Sequence, residues 1–289
     1  MISSAQSDPS CRICGGNTLP HLLNVRGHNL HRCSNCGFVQ VTNAPSATEL
    51  EAIYREAYFG HSKYQDQATL RAENQRRLGL LRQYVSGGGQ VLEAGCGDGS
   101  FLYEAKPYYK MQGFDLAPAG VNLARAKNPD IAPQIWVSPL ETLDLPNAYF
   151  DAICLWDVIE HIWNPRMVAD HLLCALKPGG LLLLSTPNID TVIARLMGKR
   201  WAFLTPPEHL SFFSQASIHQ LFVNQLQAEL VAWSSRGKRA NLGFILYKLR
   251  RVFPLLPAFI PRLFEIRLLA SLAIYVPSGD VQYVVIRKR

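Results

Sequence analysis

Residues Gln90-Val-Leu-Glu-Ala-Gly95-Cys-Gly97-Asp-Gly99-Ser-Phe-Leu102 are the most informative part of this sequence. A short apolar run leads directly into a glycine-rich turn, and the residues after the turn are typical of a helix. Glycines at the carboxyl end of a strand allow the backbone to approach a nucleotide-like ligand closely. The stretch therefore predicts the first strand, turn and helix of a ligand-binding α/β domain.

The spacing of these glycines bears on the kind of ligand. A dinucleotide-binding turn has the pattern G-x-G-x-x-G/A. Here the pattern is G-x-G-x-G, and position 100 is serine. A pyrophosphate ligand is therefore disfavoured, although the glycines alone do not settle the matter. Twenty positions after Gly95, a second apparent strand, Met111–Asp115, ends in an acid. A carboxylate at that place can accept hydrogen bonds from both hydroxyls of a ribose.

Apolar runs and helical patterns continue to alternate on both sides of this motif. Upstream, one helix is predicted from about residue 45 and another over Thr69–Tyr84. Downstream, the pattern predicts three strands, at Gln134–Ser138, Phe150–Trp156 and Leu181–Thr186. A helix at Asn164–Leu176 and a turn at Lys177–Gly180 are predicted between the second and third of them. Strands separated by helices predict a parallel sheet with helices on both faces.

Several segments resemble the successive motifs of class I S-adenosylmethionine (SAM)-dependent methyltransferases, particularly the ubiquinone-biosynthesis-like group of small-molecule enzymes. They are LEAGCGDGS from residue 92, FDLAP from 114, YFDAICLWDVIEHIWNP from 149, LKPGGLLLLSTPN from 176 and PEHLSFFS from 207. The resemblance covers roughly residues 50–235 and 280–288. It implies a Rossmann-like seven-stranded sheet in which the last strand, Val281–Ile286, runs antiparallel to the others.

The same resemblance implies which residues bind SAM. Glu93, Gly95 and Gly97, with Cys96 between the glycines, would line the methionine part of the cofactor. Asp115 would bind the ribose. Leu116 and Leu140 would make apolar contacts to the adenine. The side of the pocket next to the methionine would be closed by Leu155, Trp156 and Asp157. Ordinary core packing is the alternative for the apolar members of this set.

Two histidines are placed to remove a proton from a methyl acceptor. Methyl transfer from a sulfonium is an in-line displacement, and a hydroxyl or acidic C–H acceptor must also lose its proton. His161 follows the predicted fourth strand and His209 follows the fifth, so both leave the carboxyl edge of the sheet, where ligands of such folds bind. His209 is the preferred base; His161 could instead shape the cofactor loop. Glu208 could orient His209 or could be a solvated loop acid.

Four of the seven cysteines form two C-x-x-C pairs, Cys11/Cys14 and Cys33/Cys36, with eighteen residues between the pairs. This spacing is typical of a structural four-cysteine zinc site, and a glycine follows each pair. About 40 residues bury too little apolar surface to fold alone, whereas bound zinc could supply on the order of 10 kcal/mol. Redox chemistry or a chance spacing of the cysteines is the alternative. The predicted zinc-ribbon-like module resembles one found before some sugar C-methyltransferases.

The other three cysteines, and the histidines between the two cysteine pairs, are not predicted to bind zinc. Cys96, Cys154 and Cys174 lie in patterns typical of strand, loop or helix interiors, so we expect them to be packed as small apolar side chains. The histidines are predicted to be surface groups, at positions His21, His28 and His31.

The net charge of +7 is concentrated in the C-terminal part, because residues 236–289 contain eleven Lys and Arg against two acids. We predict two domains, a zinc module at 1–45 and a SAM-dependent domain at 46–289, with a helical insertion at 235–279 before the last strand. This insertion is expected to sit over the acceptor pocket and to favour an anionic or lipid-linked acceptor. The alternatives are a lid that packs on the core with its charges solvated, and a membrane-facing role for the basic apolar segments at 242–276.

Three functions are compatible with these patterns. The leading hypothesis is SAM-dependent methylation of a sugar, a glycolipid precursor or a secondary metabolite, with O-methylation preferred to C-methylation. An RNA methyltransferase is disfavoured, because residues 1–45 contain only three arginines against one aspartate, and four zinc-bound thiolates add negative charge. A non-catalytic zinc-dependent scaffold is the third hypothesis, and the intact glycine motif argues against it.

The chain shows no pattern that predicts export or a membrane span. The N-terminal segment MISSAQSDPSC is polar, and the longest apolar runs are short and interrupted by proline. We therefore expect a cytoplasmic protein, with peripheral membrane contact only if the insertion faces a bilayer.

Overall fold

The computed structural model describes residues 10–46, Glu49, 67–241 and 273–289. The helix expected from about residue 45 lies almost entirely outside these ranges, as does the greater part of the expected insertion. Within them the chain forms two β-sheets, one of seven strands and one of four. The strands are β1 His21–Val25, β2 His28–Arg32, β3 Val39–Val41, β4 Gln90–Ala94, β5 Lys110–Asp115, β6 Ile135–Val137, β7 Phe150–Trp156, β8 Leu176–Pro187, β9 Ser211–Phe212, β10 Glu229–Asn241 and β11 Ala273–Arg287.

The seven-stranded sheet has the order β10-β11-β8-β7-β4-β5-β6. Strands β4 to β8 pair in parallel, and β11 is antiparallel to both of its neighbours. The predicted Rossmann-like α/β fold, with seven strands and a reversed last strand, is thereby confirmed. The chain proceeds from β4 to one edge of the sheet and then resumes at β7 on the other side. The carboxyl end of β4 is therefore the crevice where open α/β sheets bind ligands.

Helices cover both faces of this sheet. They are α1 Gln67–Tyr84, α2 Ser100–Ala105, α3 Pro118–Lys127, α4 Pro165–Ala175, α5 Val192–Met197 and α6 Gln215–His219. Alternate residues of β4 point to opposite faces. Val91 packs in the core that contains buried residues of α1, α2 and α3, whereas Leu92 packs in the core on the α4 side. The layers place Glu93, which follows Leu92, on the same face as α1.

The smaller sheet joins the N-terminal residues to a distant part of the chain. Its order is β1-β2-β3-β9, and all of its pairings are antiparallel. Three of the strands come from residues 21–41. The fourth, β9, directly follows Leu210. The four cysteines that were predicted to bind zinc lie beside this sheet, and Phe38 contacts Phe213 with ring centroids 5.1 Å apart.

Strand β8 begins five residues earlier than predicted, because the expected turn at Lys177–Gly180 is contained in the strand. Opposite β7, Phe150 pairs with Leu176 and Ala152 pairs with Leu181, so the four turn residues form a bulge against a single residue of β7. Gly179 in this bulge has a φ of +75°. The glycine and proline signal was therefore real, but it marks a bulge within the strand.

The last two strands also extend further than predicted. The insertion was expected to begin at residue 235 and the last strand at Val281, but β10 continues to Asn241 and β11 begins at Ala273. The two strands pair with each other over this whole length, which supplies the hydrogen bonds that make the extension stable. The insertion is therefore shorter than 235–279. Its remaining part, 242–272, lies outside the described residues, and so does the prediction that it is helical.

Two expectations about single residues are wrong. Cys174 is exposed on α4, whereas Cys96 and Cys154 are buried as expected. His28 is buried, with its Nε2 3.3 Å from Glu49, whereas His21 is exposed and His31 is half-buried. Among the described helices, none has both the length and the apolar character that a bilayer span requires.

Candidate active site

The glycine turn at the end of β4 requires conformations that only glycine adopts readily. Gly95, Gly97 and Gly99 all have positive φ angles, of 78°, 52° and 71°. A Cβ on Gly95 would lie 2.6 Å from the side chain of Val158, and one on Gly99 would lie 2.8 Å from the backbone of Ala124. Val158 and Ala124 therefore pack against the turn so closely that they leave no room for a side chain at Gly95 or Gly99.

Asp115 lies at the carboxyl end of β5, beside this turn. Its two carboxylate oxygens each accept an amide hydrogen bond of 2.9 Å, one from Gly97 and the other from Ala117. Burial raises the pKa of Asp115, and these hydrogen bonds oppose the rise. Each carboxylate oxygen can accept more than one hydrogen bond, so the pair can still accept from two ribose hydroxyls. The glycine turn is therefore hydrogen-bonded to the residue that is predicted to bind the ribose.

Glu93 is buried on the α1 face of the sheet, with a side chain that is incompletely satisfied. Within the described part of the chain, its Oε2 atom has no hydrogen-bond partner. Burial raises the pKa of Glu93 well above its usual range, and the positive charge of Arg77 opposes the rise. A buried, unsatisfied carboxylate oxygen next to a ligand-binding turn fits the ammonium group of a bound methionine moiety.

Arg77 of α1 is a candidate site residue that the sequence reasoning missed. Its Nη2 atom lies 2.6 Å from Asp157, and its Nε atom lies 3.7 Å from Glu73. The charges of Asp157 and Glu73 raise the pKa of this guanidinium, although burial opposes them. A signal was present in the sequence, since Arg77 lies on the same helical stripe as the buried Leu78 and Leu81. A charged residue on a buried stripe indicates a specific partner.

The three consecutive residues at the end of β7 do not share one environment. Trp156 lies on the α1 face, with the Arg77 guanidinium 5.5 Å from its ring, and Asp157 accepts a 2.9 Å hydrogen bond from Ser185. Buried Trp156 Nε1 has no hydrogen-bond partner among the described residues. Leu155 points into the core on the α4 side, so its side chain faces away from Glu93. Of these three, Leu155 could reach the cofactor only through its main chain.

The two leucines expected near the adenine lie at the carboxyl edge in different environments. Leu116, directly after Asp115, is 44% exposed. Leu140 is half-buried at the start of a short 3₁₀ turn, Leu140–Thr142, and packs against the core on the α4 side. Ser138 donates its amide to the carbonyl oxygen of Asp115, which holds the two strand ends together. Apolar surface therefore flanks the acid that was assigned to the ribose.

The structure brings together the two histidines that were predicted as bases. Their ring centroids are 4.8 Å apart, and their planes are nearly perpendicular. Nδ1 of His161 lies 2.8 Å from the carbonyl oxygen of Glu208, and Nδ1 of His209 lies 2.7 Å from that of Phe203. A carbonyl oxygen only accepts, so each Nδ1 carries a proton, and Nε2 is the atom through which each ring, when neutral, can act as a base. Main-chain groups thus orient both rings.

A buried acid adjoins this histidine pair. Glu160 is 2% exposed and accepts a 2.9 Å hydrogen bond from Thr186. The atoms of Glu160, His161 and His209 that can bind a metal lie within 4.8 Å of one another. The group can therefore act as a base or, through the same atoms, coordinate a divalent cation.

The geometry of the four N-terminal cysteines fits a zinc ion. Their sulfurs all lie within 4.8 Å of one another, and the Cys11–Cys36 and Cys14–Cys33 pairs are each 3.6 Å apart. Tetrahedral zinc with Zn–S bonds of about 2.3 Å needs sulfurs about 3.8 Å apart. The hydrogen bond with Cys36 lowers the pKa of Cys11 to about 5 and raises that of Cys36. Thiolate character is therefore favoured at Cys11, whereas burial raises the pKa of Cys14.

Comparison with known proteins identifies the family. Residues 43–232, more than half of the chain, match a family described as a methyltransferase domain. The chain belongs to this methyltransferase family. Together with the relatives below, this makes it a class I SAM-dependent methyltransferase.

Two relatives and one solved structure show the extent of the similarity. Over 102 residues the chain is 37% identical to a Mycolicibacterium smegmatis protein named a probable S-adenosylmethionine-dependent methyltransferase, covering 35% of this chain and 39% of that relative. It is 30% identical over 175 residues to the ubiquinone biosynthesis O-methyltransferase of Idiomarina loihiensis, covering 53% of this chain and 72% of the relative. A SAM-dependent methyltransferase of Thermotoga maritima, described as a possible histamine N-methyltransferase, shares the fold with a TM-score of 0.55 at 14% identity, covering 83% of this chain and 100% of that one.

Proposed function

We propose that this methyltransferase transfers the methyl group of SAM to a hydroxyl group of a small molecule. The observation that carries the proposal is the oriented histidine pair, His161 and His209, at the carboxyl edge of the sheet. An alcohol or phenol needs a base to remove its proton during transfer, and a neutral imidazole at neutral pH suits that role. Similarity to an O-methyltransferase of ubiquinone biosynthesis supports oxygen, in preference to carbon, as the methylated atom.

In this proposal the cofactor binds across the end of β4. Glu93 pairs with the methionine ammonium group, and Asp115 binds the ribose hydroxyls. Leu116 and Leu140 contact the adenine. Arg77 supplies a positive charge close to Glu93 and Asp157, which suits the carboxylate of the same methionine moiety.

A small-molecule acceptor fits the charge of the N-terminal module better than RNA does. Of its three arginines, Arg12 is buried and Arg32 lies 3.2 Å from Asp190. Arg26 is exposed. A module that binds phosphates needs several accessible cations. We therefore propose that the module has a structural role, with one zinc ion held by its four cysteines.

The length of the β10–β11 hairpin is consistent with a cap over the acceptor. Val281 pairs with Pro187 at the end of β8, whereas Lys238–Asn241 pair with Ala273–Val276 beyond that end. The hairpin therefore projects past the carboxyl edge by about 15 Å, at roughly 3.4 Å per residue. We propose that residues 242–272, carried on this projection, cover the acceptor and select an anionic or lipid-linked compound through their basic side chains.

Replacing each histidine by alanine tests the reaction. We expect His209→Ala to lower kcat by about 10²- to 10⁴-fold, because the acceptor then loses its base. The affinity for S-adenosylhomocysteine (SAH), measured by calorimetry, should not change. His161→Ala should have a smaller effect. Transfer of tritiated methyl groups from SAM to a panel containing a catechol, a simple phenol and a hexose provides the readout.

The matched control is His219→Ala, which removes an exposed histidine at the end of α6. It should leave both measurements unchanged. Full activity of His209→Ala would return this histidine to a structural role. Failure of the wild-type protein to bind SAH would remove the proposed function altogether.

A further inference from the structure

The segment that carries His209 is held from one side by the N-terminal module. Strand β9 begins two residues after His209 and pairs with β3, with Val39 opposite Phe212 and Gln40 opposite Ser211. The amide of Val41 also donates a 3.0 Å hydrogen bond to the carbonyl oxygen of Leu210. The module's last strand therefore sets the register of the chain immediately after the histidine.

The same segment is held from the other side by the loop after β7. Leu210 donates its amide to the carbonyl oxygen of Glu160 at 2.8 Å, and the Ser211 hydroxyl donates to the carbonyl oxygen of Ile162 at 2.8 Å. Glu160 directly precedes His161. Residues 210–212 thus bridge the loop after β7 and strand β3, and this bridge holds His161 and His209 next to each other.

Arg12 connects the cysteine cluster to both sides of this bridge. It lies between two of the cysteines and is 7% exposed. Its Nη2 atom donates to the carbonyl oxygens of Val41, at 2.8 Å, and Leu210, at 3.2 Å. Its guanidinium carbon lies 3.8 Å from the ring centroid of Trp163, in the loop after β7. One side chain therefore contacts β3, the His209 segment and the His161 loop.

We propose that Arg12 is a positioning residue for His209, and that the zinc-binding module forms a structural wall of the acceptor site. The inference rests on the proposed function, in which His209 is the base. Zinc bound by the four cysteines would fix the Cys11–Cys14 turn, and hence the place from which Arg12 reaches Leu210. The glycine turn and Asp115 belong to β4 and β5, so cofactor binding does not depend on this connection.

Arginine at position 12 cannot be replaced by lysine without losing these contacts. The planar guanidinium stacks on Trp163 while the same plane donates to two carbonyl oxygens, whereas an ammonium group is a compact charge without a stacking face. Arg12→Lys therefore keeps the charge and removes the geometry. Arg26→Lys makes the same chemical change at an exposed position of the module and serves as the matched control.

The test uses the full-length, zinc-loaded protein and needs no acceptor. Three properties are measured for the wild type and both variants. These are the ¹⁵N signals of the His209 imidazole, the hydrogen exchange of the peptide that contains residues 210–213, and the calorimetric affinity for SAH. In Arg12→Lys, we expect the His209 signals to shift and exchange in this peptide to accelerate by about tenfold or more, because local opening becomes easier. SAH affinity should not change, and Arg26→Lys should match the wild type throughout.

Removing zinc from the wild-type protein with a chelator provides a second measurement that does not depend on the variant's folding. The same peptide should lose protection while SAH still binds. Unchanged His209 signals and exchange in Arg12→Lys, or equal loss of protection throughout the SAM-binding sheet after zinc removal, would overturn the inference. A wild-type protein that does not bind SAH would instead refute the proposed function, so the two failures are distinguishable.

Discussion

The buried carboxylate of Glu93 has an energetic cost that depends on pH. Its pKa is raised by burial, so the folded chain holds its proton to a higher pH than the unfolded chain does. Unfolded glutamate titrates near pH 4.3. As the pH rises above that value, the unfolded state loses this proton before the folded state does, and the free energy of unfolding decreases until the folded pKa has been passed. The stability that the neutral carboxyl contributes is therefore present at low pH and lost at higher pH.

Glu93→Gln should separate this cost from the function of the side chain. We expect the variant without cofactor to have a higher Tm than the wild type at pH 8 and a weaker pH dependence between pH 5 and pH 8, because glutamine does not ionise. SAH affinity should decrease by about tenfold or more, since a charged hydrogen bond to the ammonium group is lost. Asp170→Asn, an exposed acid on α4, is the control. A lower Tm would show that Glu93 stabilises the protein as a carboxylate.

Asp115 connects the glycine turn to the assigned ribose site, and substitution there tests that assignment. We expect Asp115→Ala to weaken SAH binding at least about tenfold, because two hydroxyl hydrogen bonds to a charged acceptor are lost. Calorimetry at constant pH measures the effect. Asp130→Asn changes an exposed acid outside the site and should have no effect. An unchanged affinity in Asp115→Ala would remove the ribose role.

At the scale of the elements, the turn between β4 and α2 depends on both φ angles and packing. Gly99 and Gly179 have nearly the same φ, 71° and 75°. A Cβ at position 99 would lie 2.8 Å from Ala124, whereas a Cβ at position 179 would meet nothing within 4 Å. The pair therefore distinguishes the cost of a left-handed residue from the cost of a steric clash.

Alanine at each of these two glycines should destabilise the protein to different extents. Gly179→Ala should lower the free energy of unfolding by about 1–2 kcal/mol, through backbone conformation alone. Gly99→Ala should lower it by a further 1–3 kcal/mol or so, because α3 must move away from the turn. Urea unfolding monitored by circular dichroism gives both values. Equal losses would mean that α3 accommodates the methyl group without strain.

The same reasoning applies to cofactor binding at this element. Displacement of α3 would also move the turn that carries Gly97, which donates its amide to Asp115. Gly99→Ala should therefore weaken SAH binding, whereas Gly179→Ala, in a bulge far along the chain, should not.

At the scale of the whole molecule, shortening the projecting hairpin should distinguish cofactor binding from the proposed acceptor binding. Asn241 and Ala273 lie opposite each other, so a two-residue Asn-Gly turn can replace residues 242–272. We expect this shortened protein to bind SAH like the wild type, because β4 and β5 are untouched. It should lose methyl transfer to any compound that the wild type methylates. Retained transfer would show that the replaced residues do not select the acceptor.

Vesicle binding distinguishes a cap from a membrane-facing surface. Residues 242–272 contain five Lys and Arg against one Glu, a charge that favours anionic lipids. Under the proposed cap, the wild-type and shortened proteins should cosediment equally weakly with phosphatidylglycerol-containing vesicles. Salt-sensitive binding by the wild type alone would instead support the membrane-facing alternative.

Features that depend on neighbouring residues could be predicted from the amino-acid sequence. The β4 strand, its glycine turn and Asp115 follow from short patterns, since strand, turn and helix preferences act over a few residues. Two C-x-x-C pairs likewise predict a cluster whose sulfurs lie at distances suited to zinc. The parallel order of the central sheet follows from alternating strands and helices and from the chirality of their connections.

Contacts between residues far apart in the chain became visible only in the folded protein. Arg77 reaches Asp157 across 80 positions, and Arg12 reaches Leu210 across 198. Strand β9 has two residues, too few to show a periodic pattern, so its pairing with β3 could not be predicted. Such contacts depend on how whole elements pack, and packing free energy is shared among residues that no local pattern connects. The sequence therefore predicts the chemistry of each side chain, whereas the residue that it contacts depends on the fold.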